Sequence, residues 1–128
     1  MPEKKKSIIL VVEDDKFLLK AYESKLSRAG FQVEKATDGE ETMEKLKVAK
    51  PNIILLDLVM PNVDGFEVLA KVHKDPKFKS IPVIVVSNLG QESDVEKAKS
   101  LGAAEYLVKS DYSLQQIVDL IKKKLKMK

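Results

Sequence analysis

Five positions, scattered along 128 residues, carry groups suited to handling a phosphoryl anion: Glu13, Asp14, Asp57, Ser87 and Lys109. Each falls at the end of an apolar run: Ile8-Ile9-Leu10-Val11-Val12 before Glu13, Ile53-Ile54-Leu55-Leu56 before Asp57, Val83-Ile84-Val85-Val86 before Ser87, and Tyr106-Leu107-Val108 before Lys109. Clustered carboxylates repel one another and raise each other's pKa unless a cation lies among them. Cysteine is absent and His73 is the single histidine, so thiolate and multi-histidine metal sites are excluded. Hard oxygen donors alone suit Mg²⁺, or Mn²⁺. A hydroxyl and an ammonium beside such an ion would complement a dianionic phosphoryl group. Taken singly, each residue also has a plain structural reading: Asp57 as a strand-to-loop turn, Ser87 as the start of a turn, Lys109 as a strand end.

For these groups to meet, the apolar runs must be neighbouring strands. An unalternated branched run reads as a strand buried on both faces, and a charge inside it would be costly, so Asp57 marks its end. Pro61 has no amide proton to continue a ladder. Ser7–Val12 and Ile81–Ser87 read as two further buried strands. Phe31–Lys35 alternates and Ala103–Val108 is weaker, which makes both edge strands.

Helical spacing fills the intervals. The first helix has apolar positions Leu18, Ala21, Tyr22, Leu26 and Ala29, with Asp15 capping its start and Gly30 just past its end. Asp38-Gly39-Glu40-Glu41 opens a second, with Met43 and Leu46 inward and a stop before Pro51. Asp64-Gly65 opens a third, with Phe66, Leu69 and Ala70 on its inner side and His73 either beside them or at the helix surface. Ser93 or Asp94 caps a fourth through Val95, Ala98 and Leu101, closed by Gly102. Ser113-Leu114-Gln115-Gln116 is a capping box for the last, whose stripe is Leu114, Ile117, Val118, Ile121 and Leu125.

Strand and helix thus alternate five times within one domain, residues 1–128, with no linker. This implies an α/β, flavodoxin-like doubly wound fold: a five-stranded parallel sheet in the order 2-1-3-4-5, helices on both faces. Ligands of such sheets bind beyond the carboxyl ends of the first and third strands, at the topological switch point.

Net charge is +3, concentrated at Lys4, Lys5, Lys6 and at Lys122, Lys123, Lys124, Lys126 and Lys128. Cations at the end of a helix complement its dipole, and with no interleaved aromatics nucleic-acid binding is disfavoured. No apolar run reaches the roughly 18–20 residues a membrane span needs, and the basic N-terminus is not followed by a signal-type apolar segment. The expectation is a cytoplasmic protein.

The ordered set Val11-Val12-Glu13-Asp14-Asp15, Leu56-Asp57-Leu58-Val59-Met60-Pro61-Asn62-Val63-Asp64-Gly65, Val86-Ser87-Asn88 and Tyr106-Leu107-Val108-Lys109 resembles the receiver domain of bacterial two-component response regulators, over nearly the whole chain. The resemblance implies that Asp57 is the phosphoacceptor. It further implies that Asp14 binds Mg²⁺ directly, Glu13 through water, and Val59 by its backbone carbonyl, with Asp57 completing the set. Lys109 would pair with Asp57 at rest and with phosphoryl oxygens afterwards. Ser87 would hydrogen-bond the phosphoryl group, and Tyr106 would be an aromatic switch, against the alternative of simple packing on an edge strand. Implied partners are a sensor histidine kinase or phosphotransfer protein and a downstream protein target, with the chain a monomer or a phosphorylation-dependent dimer. No output domain follows the fifth helix, so output would come by partner binding, or the chain is part of something longer.

Three positions depart from the common pattern. Ser110 replaces the usual proline after Lys109, which leaves the isomer of that peptide bond open. Asn88 stands where a smaller residue is frequent and could screen the phosphoryl group, modulating dephosphorylation. Ser87 replaces a frequent threonine. Two other function classes fit the residues less well. A Mg²⁺-dependent phosphohydrolase often has a second Asp two residues after its nucleophile, where this chain has Val59. A flavin module would need a phosphate loop after the first strand, where Glu13-Asp14-Asp15 would repel phosphate.

Overall fold

β-Branched and leucine-rich runs, too short and unbroken for helices, become strands here. In the computed structural model, which describes residues 6–60 and 63–125, the strands are β1 (Ile8–Val12), β2 (Gln32–Ala36), β3 (Ile53–Leu56), β4 (Val83–Ser87) and β5 (Glu105–Val108). They pair in parallel in the order β2-β1-β3-β4-β5. The doubly wound architecture is therefore as expected, with β2 and β5 at the edges. A separate short antiparallel bridge joins Val59–Met60 to Val63–Asp64 in the segment after β3. Pro61 and Asn62, Lys4 and Lys5, and Lys126 and Lys128 lie outside the described residues.

The helices are α1 (Lys16–Arg28), α2 (Gly39–Ala49), α3 (Gly65–Lys74), α4 (Glu92–Ser100) and α5 (Leu114–Lys124). On one face α1 and α5 bury Leu19, Tyr22, Leu26, Ile117, Val118 and Ile121 against Ile9, Val11, Leu55 and Ile84. On the other, α2, α3 and α4 bury Leu46, Val68, Leu69, Val72 and Ala98 against Leu10, Val12, Ile54 and Val85. Alternate strand residues serve opposite faces, as the pleat requires.

Two helix stripes are turned relative to the sequence reading. In α1, Tyr22 and Leu26 are buried as expected, but Leu19 is buried and Leu18 only partly. In α3, Leu69 is buried as expected together with Val68 and Val72, Phe66 and Ala70 are partly covered, and His73 takes the surface alternative. Neighbouring apolar residues allow more than one phase of a helical stripe, and packing against the sheet selects one. In α2, Thr42 is fully buried beside Leu46, its hydroxyl donating to the Asp38 carbonyl at 2.7 Å, while Met43 packs at the margin. Phe78, in the connection to β4, is a core residue that periodicity did not reveal.

The caps are Asp15, Asp38, Asp64 and Ser113, each accepting backbone amides of the first turn; Ser113 and Gln116 form the reciprocal capping box. α4 differs. Its N-cap is Gln91, not Ser93 or Asp94, and no side chain bonds there. Gly65 is fixed by space: a Cβ would collide with the Leu58 backbone, so α3 begins tight against the segment that follows Asp57.

Candidate functional site

Parallel pairing of β1 with β3 sets Val12 opposite Leu56, so the next residue on each strand, Glu13 and Asp57, emerges at the same level. The Asp57 amide donates to the Val12 carbonyl at 3.0 Å, and the Glu13 amide to the Ala36 carbonyl at 3.0 Å. Strand ends held this way leave the side chains little freedom. Glu13 is 2% exposed and Asp57 5%; Asp14 is half-buried. Carboxylate oxygens of Glu13, Asp14 and Asp57 all lie within 4.8 Å of one another.

Three carboxylates so close need positive partners, and the protein supplies one in full. Lys109 Nζ lies 2.9 Å from Glu13 Oε1 and 3.1 Å from Asp57 Oδ2. The pairing with Asp57 matches expectation, whereas the equally close contact with Glu13 was not foreseen. Lysine's long stem lets it reach from the end of β5 across two strand positions, a span that spacing in the chain does not encode. Backbone amides supply the rest. Val59 N–H donates to Asp57 Oδ1 at 3.1 Å, and the Asp14 and Asp15 amides donate to Glu13 Oε2 at 3.1 and 3.3 Å. Asp15 itself turns away to cap α1, as expected.

Burial lifts the Glu13 carboxyl above its ordinary value, although the Lys109 bond pulls it down. Burial alone would lower Lys109. Its hydrogen bonds to Glu13 and Asp57 outweigh that, and the ammonium is held above its ordinary value. Tyr22, buried on α1 nearby, is a further titrating neighbour, one that its place in a helical stripe does not single out. Its phenol is pushed up to about 12, chiefly by burial.

The donor set fits a hard divalent ion. It is made of carboxylate oxygens, without nitrogen or sulfur donors, and three acids face a single lysine. Ser87, on the neighbouring β4, is fully buried, and its Oγ accepts from the Leu89 amide at 3.1 Å. Tyr106, half-buried on β5, donates its hydroxyl to the Leu89 carbonyl at 2.5 Å. Ser87, Leu89 and Tyr106 are therefore joined through one loop residue. Asn88 is exposed beside them. The Lys109–Ser110 bond is trans, as are all peptide bonds among the described residues, and Lys109–Asp111 forms a single 3₁₀ turn.

Residues 9–122 match the family model described as the response regulator receiver domain. This chain belongs to that family. Among its relatives, the chemotaxis protein CheV3 of Helicobacter pylori is 36% identical over 113 residues, 80% of this chain, and the chain spans 36% of CheV3's length. Among solved structures, the phosphorylated cyanobacterial phytochrome response regulator RcpA is 33% identical with TM-score 0.80, covering 93% of this chain and 91% of its own. The Mn²⁺-bound form of response regulator Rcp1 is 32% identical with TM-score 0.77, covering 91% and 92%. Receiver domains are signalling domains, and the acidic group at the carboxyl edge of the sheet is compatible with metal binding. No helix of the described residues is long and apolar enough to cross a membrane.

Proposed function

We propose that this receiver domain is a phosphoacceptor switch, with Asp57 taking a phosphoryl group from a sensor histidine kinase or phosphotransfer protein. The observation that carries the reading is the Asp57 carboxylate, almost wholly buried at the sheet's carboxyl edge yet held between the Val59 amide and Lys109 beside two more acids. An isolated buried carboxylate is costly; this one is held and oriented by an amide and an ammonium. A phosphorylated relative and a Mn²⁺-bound one, both above 30% identity, support the chemistry.

In the transfer, an Asp57 oxygen forms a bond to phosphorus as the bond from phosphorus to the donor imidazole nitrogen breaks. The imidazole leaves with the electron pair, and Asp57 becomes an acyl phosphate. Glu13, Asp14, Asp57 and the Val59 carbonyl would hold Mg²⁺ (or Mn²⁺), which when bound neutralises charge on the transferred group. Lys109 turns from the Asp57 carboxylate to the new phosphoryl oxygens, and Val59 N–H holds the carbonyl end. Slow hydrolysis by water resets the site.

The readout follows from the Ser87–Leu89–Tyr106 chain. As the Ser87 side chain swings toward the phosphoryl group to donate its hydroxyl, its Oγ draws away from the Leu89 amide it now accepts from. Leu89 then moves, and Tyr106, bonded to its carbonyl, moves with it. Phosphorylation thereby biases the β4–α4 and β5–α5 units between two arrangements, and a downstream protein reads the difference. Asn88 lies exposed at the start of that loop and slows the approach of water, so Asn88→Ala shortens the phosphorylated lifetime. The residues act as one receiver unit over 1–128, in the cytoplasm, as a monomer or a phosphorylation-dependent dimer.

Asp57→Asn tests the core of this reading. With acetyl phosphate and Mg²⁺, the wild-type chain gains one phosphoryl group that hydroxylamine removes, and the variant gains none. Labelling at undiminished level in Asp57→Asn would overturn the assignment.

A further inference from the structure

The opposite end of the sheet carries a hollow that the switch does not use. It has a volume of about 470 Å³ and lies between the end of α2, the start of β3 and the connection into β4. Its floor is apolar: Leu46, Pro51 and Phe78 are buried, and Ile81 is half-buried. Its rim is cationic, formed by the exposed Lys47, Lys50 and Lys77, and no acidic residue lines it. Among the described residues none of the three lysines makes an ion pair.

Lys47 and Lys50 alone would be explained by the C-terminal end of α2, where cations offset the helix dipole. Lys77 arrives from a different element and still closes the same rim, so the convergence exceeds what one helix end requires. Hollows of about 300–1,000 Å³ that combine apolar walls with a few polar groups are the usual form of small-molecule sites. Three unpaired ammonium groups over an apolar floor select against a neutral occupant and against a fully polar anion.

We propose that this hollow is a second binding site, for a small amphiphilic anion: an apolar chain or ring that fills the floor and carries one carboxylate or phosphate to the lysines. The four residues of β3, about 13 Å of strand, separate it from Asp57, so it is filled independently of the phosphoacceptor. The same chemistry is offered by a free fatty acid and by the anionic headgroup and proximal chain of a lipid.

The probe is sodium octanoate, titrated into the isotopically labelled full chain and followed by NMR. Saturable shifts centred on Lys47, Lys50, Phe78 and Ile81 are expected. Octan-1-ol, without the charge, and sodium acetate, without the chain, should each bind at least tenfold more weakly. From hexanoate to octanoate each added methylene should tighten binding by about fourfold. The double variant Lys50→Glu/Lys77→Glu, changed only at exposed positions, should weaken octanoate at least tenfold while keeping the wild-type spectrum elsewhere and full labelling of Asp57. Shifts that never saturate, shifts centred elsewhere, equal binding of octan-1-ol, or an unaffected double variant would each overturn the site. Sedimentation with phosphatidylglycerol vesicles assigns the source. Binding lost in the double variant identifies a lipid, and octanoate binding without sedimentation identifies a free acid.

Discussion

α4 and α5 follow neighbouring strands, β4 and β5, but are held by different means. α5 starts in a complete capping box, buries Ile117, Val118 and Ile121, and is tied to β5 by Lys124 and Glu105 at 2.6 Å. α4 starts at Gln91 with no side-chain cap and buries only Ala98. Its further anchor is Lys97, 4.4 Å above the Phe66 ring of α3. Packing of an apolar face supplies most of a helix's stability in a protein. α5 is therefore part of the frame, and α4 is an element of low local stability. α4 begins five residues after Ser87 and directly beyond the loop that Ser87 and Tyr106 both grip. A loosely held helix can be displaced by a small rearrangement at that loop, whereas displacing α5 would disturb the core.

The widest separation between the two helices should appear on truncation. Ile121→Ala removes a fully buried side chain from the α1–α5 face and should cost about 2–5 kcal/mol. Val95→Ala, at a half-covered position on α4, should cost less than about 1 kcal/mol. Denaturant unfolding of both variants measures this. Equal losses would show that α4 is as much a part of the frame as α5.

That contrast was only partly legible in the sequence. The five-residue stripe from Leu114 to Leu125 has a single phase and a Ser-x-x-Gln start, so local pattern specifies both the cap and the buried face of α5. The unbroken run into Asp57 likewise fixed β3 and the position of the carboxylate. α4 offered Ser93 and Asp94 as capping residues inside an acidic, weakly apolar stretch, and propensity could not show that the chain turns two residues earlier at Gln91. In α3, the sequence Val68-Leu69-Ala70-Lys71-Val72 supports two stripes, and only the sheet beneath decides between them. At the site, strand order was enough to gather Glu13, Asp14 and Asp57. The sharing of Lys109 between Glu13 and Asp57 depends on how far one side chain reaches, which no local pattern records.

Alkaline pH sharpens the comparison from the side of the stable face. Tyr22 packs in the α1–α5 core, and its pKa is pushed up to about 12 from 10.0. The folded state favours the neutral phenol, so this stabilisation is complete below pH 10 and is lost as pH rises towards 12. Lys109, also held above its ordinary value, changes in the same direction. Wild type should therefore lose on the order of 1–3 kcal/mol more than Tyr22→Phe between pH 9 and pH 12. Parallel pH curves for the two proteins, from denaturant titrations, would mean that the phenol is not protected by this face.

The smallest change acts on α4 alone. Gln91→Asp supplies the missing cap acceptor, and a carboxylate there also complements the positive end of the helix dipole. Asp15, Asp38 and Asp64 already perform this role for α1, α2 and α3 in the same fold. The gain should be about 0.5–1 kcal/mol in the local opening of α4, seen as slower amide exchange through Val95–Lys99. Amides of α5, already capped and buried, should exchange at wild-type rates. If both helices slow together, α4 opens only with the whole domain, and the difference between the two would lie in their contacts rather than in their stability. If α4 alone slows, then stiffening it should also lower the response to phosphorylation. The loop movement that begins at Ser87 would then meet a helix start fixed as firmly as the other four.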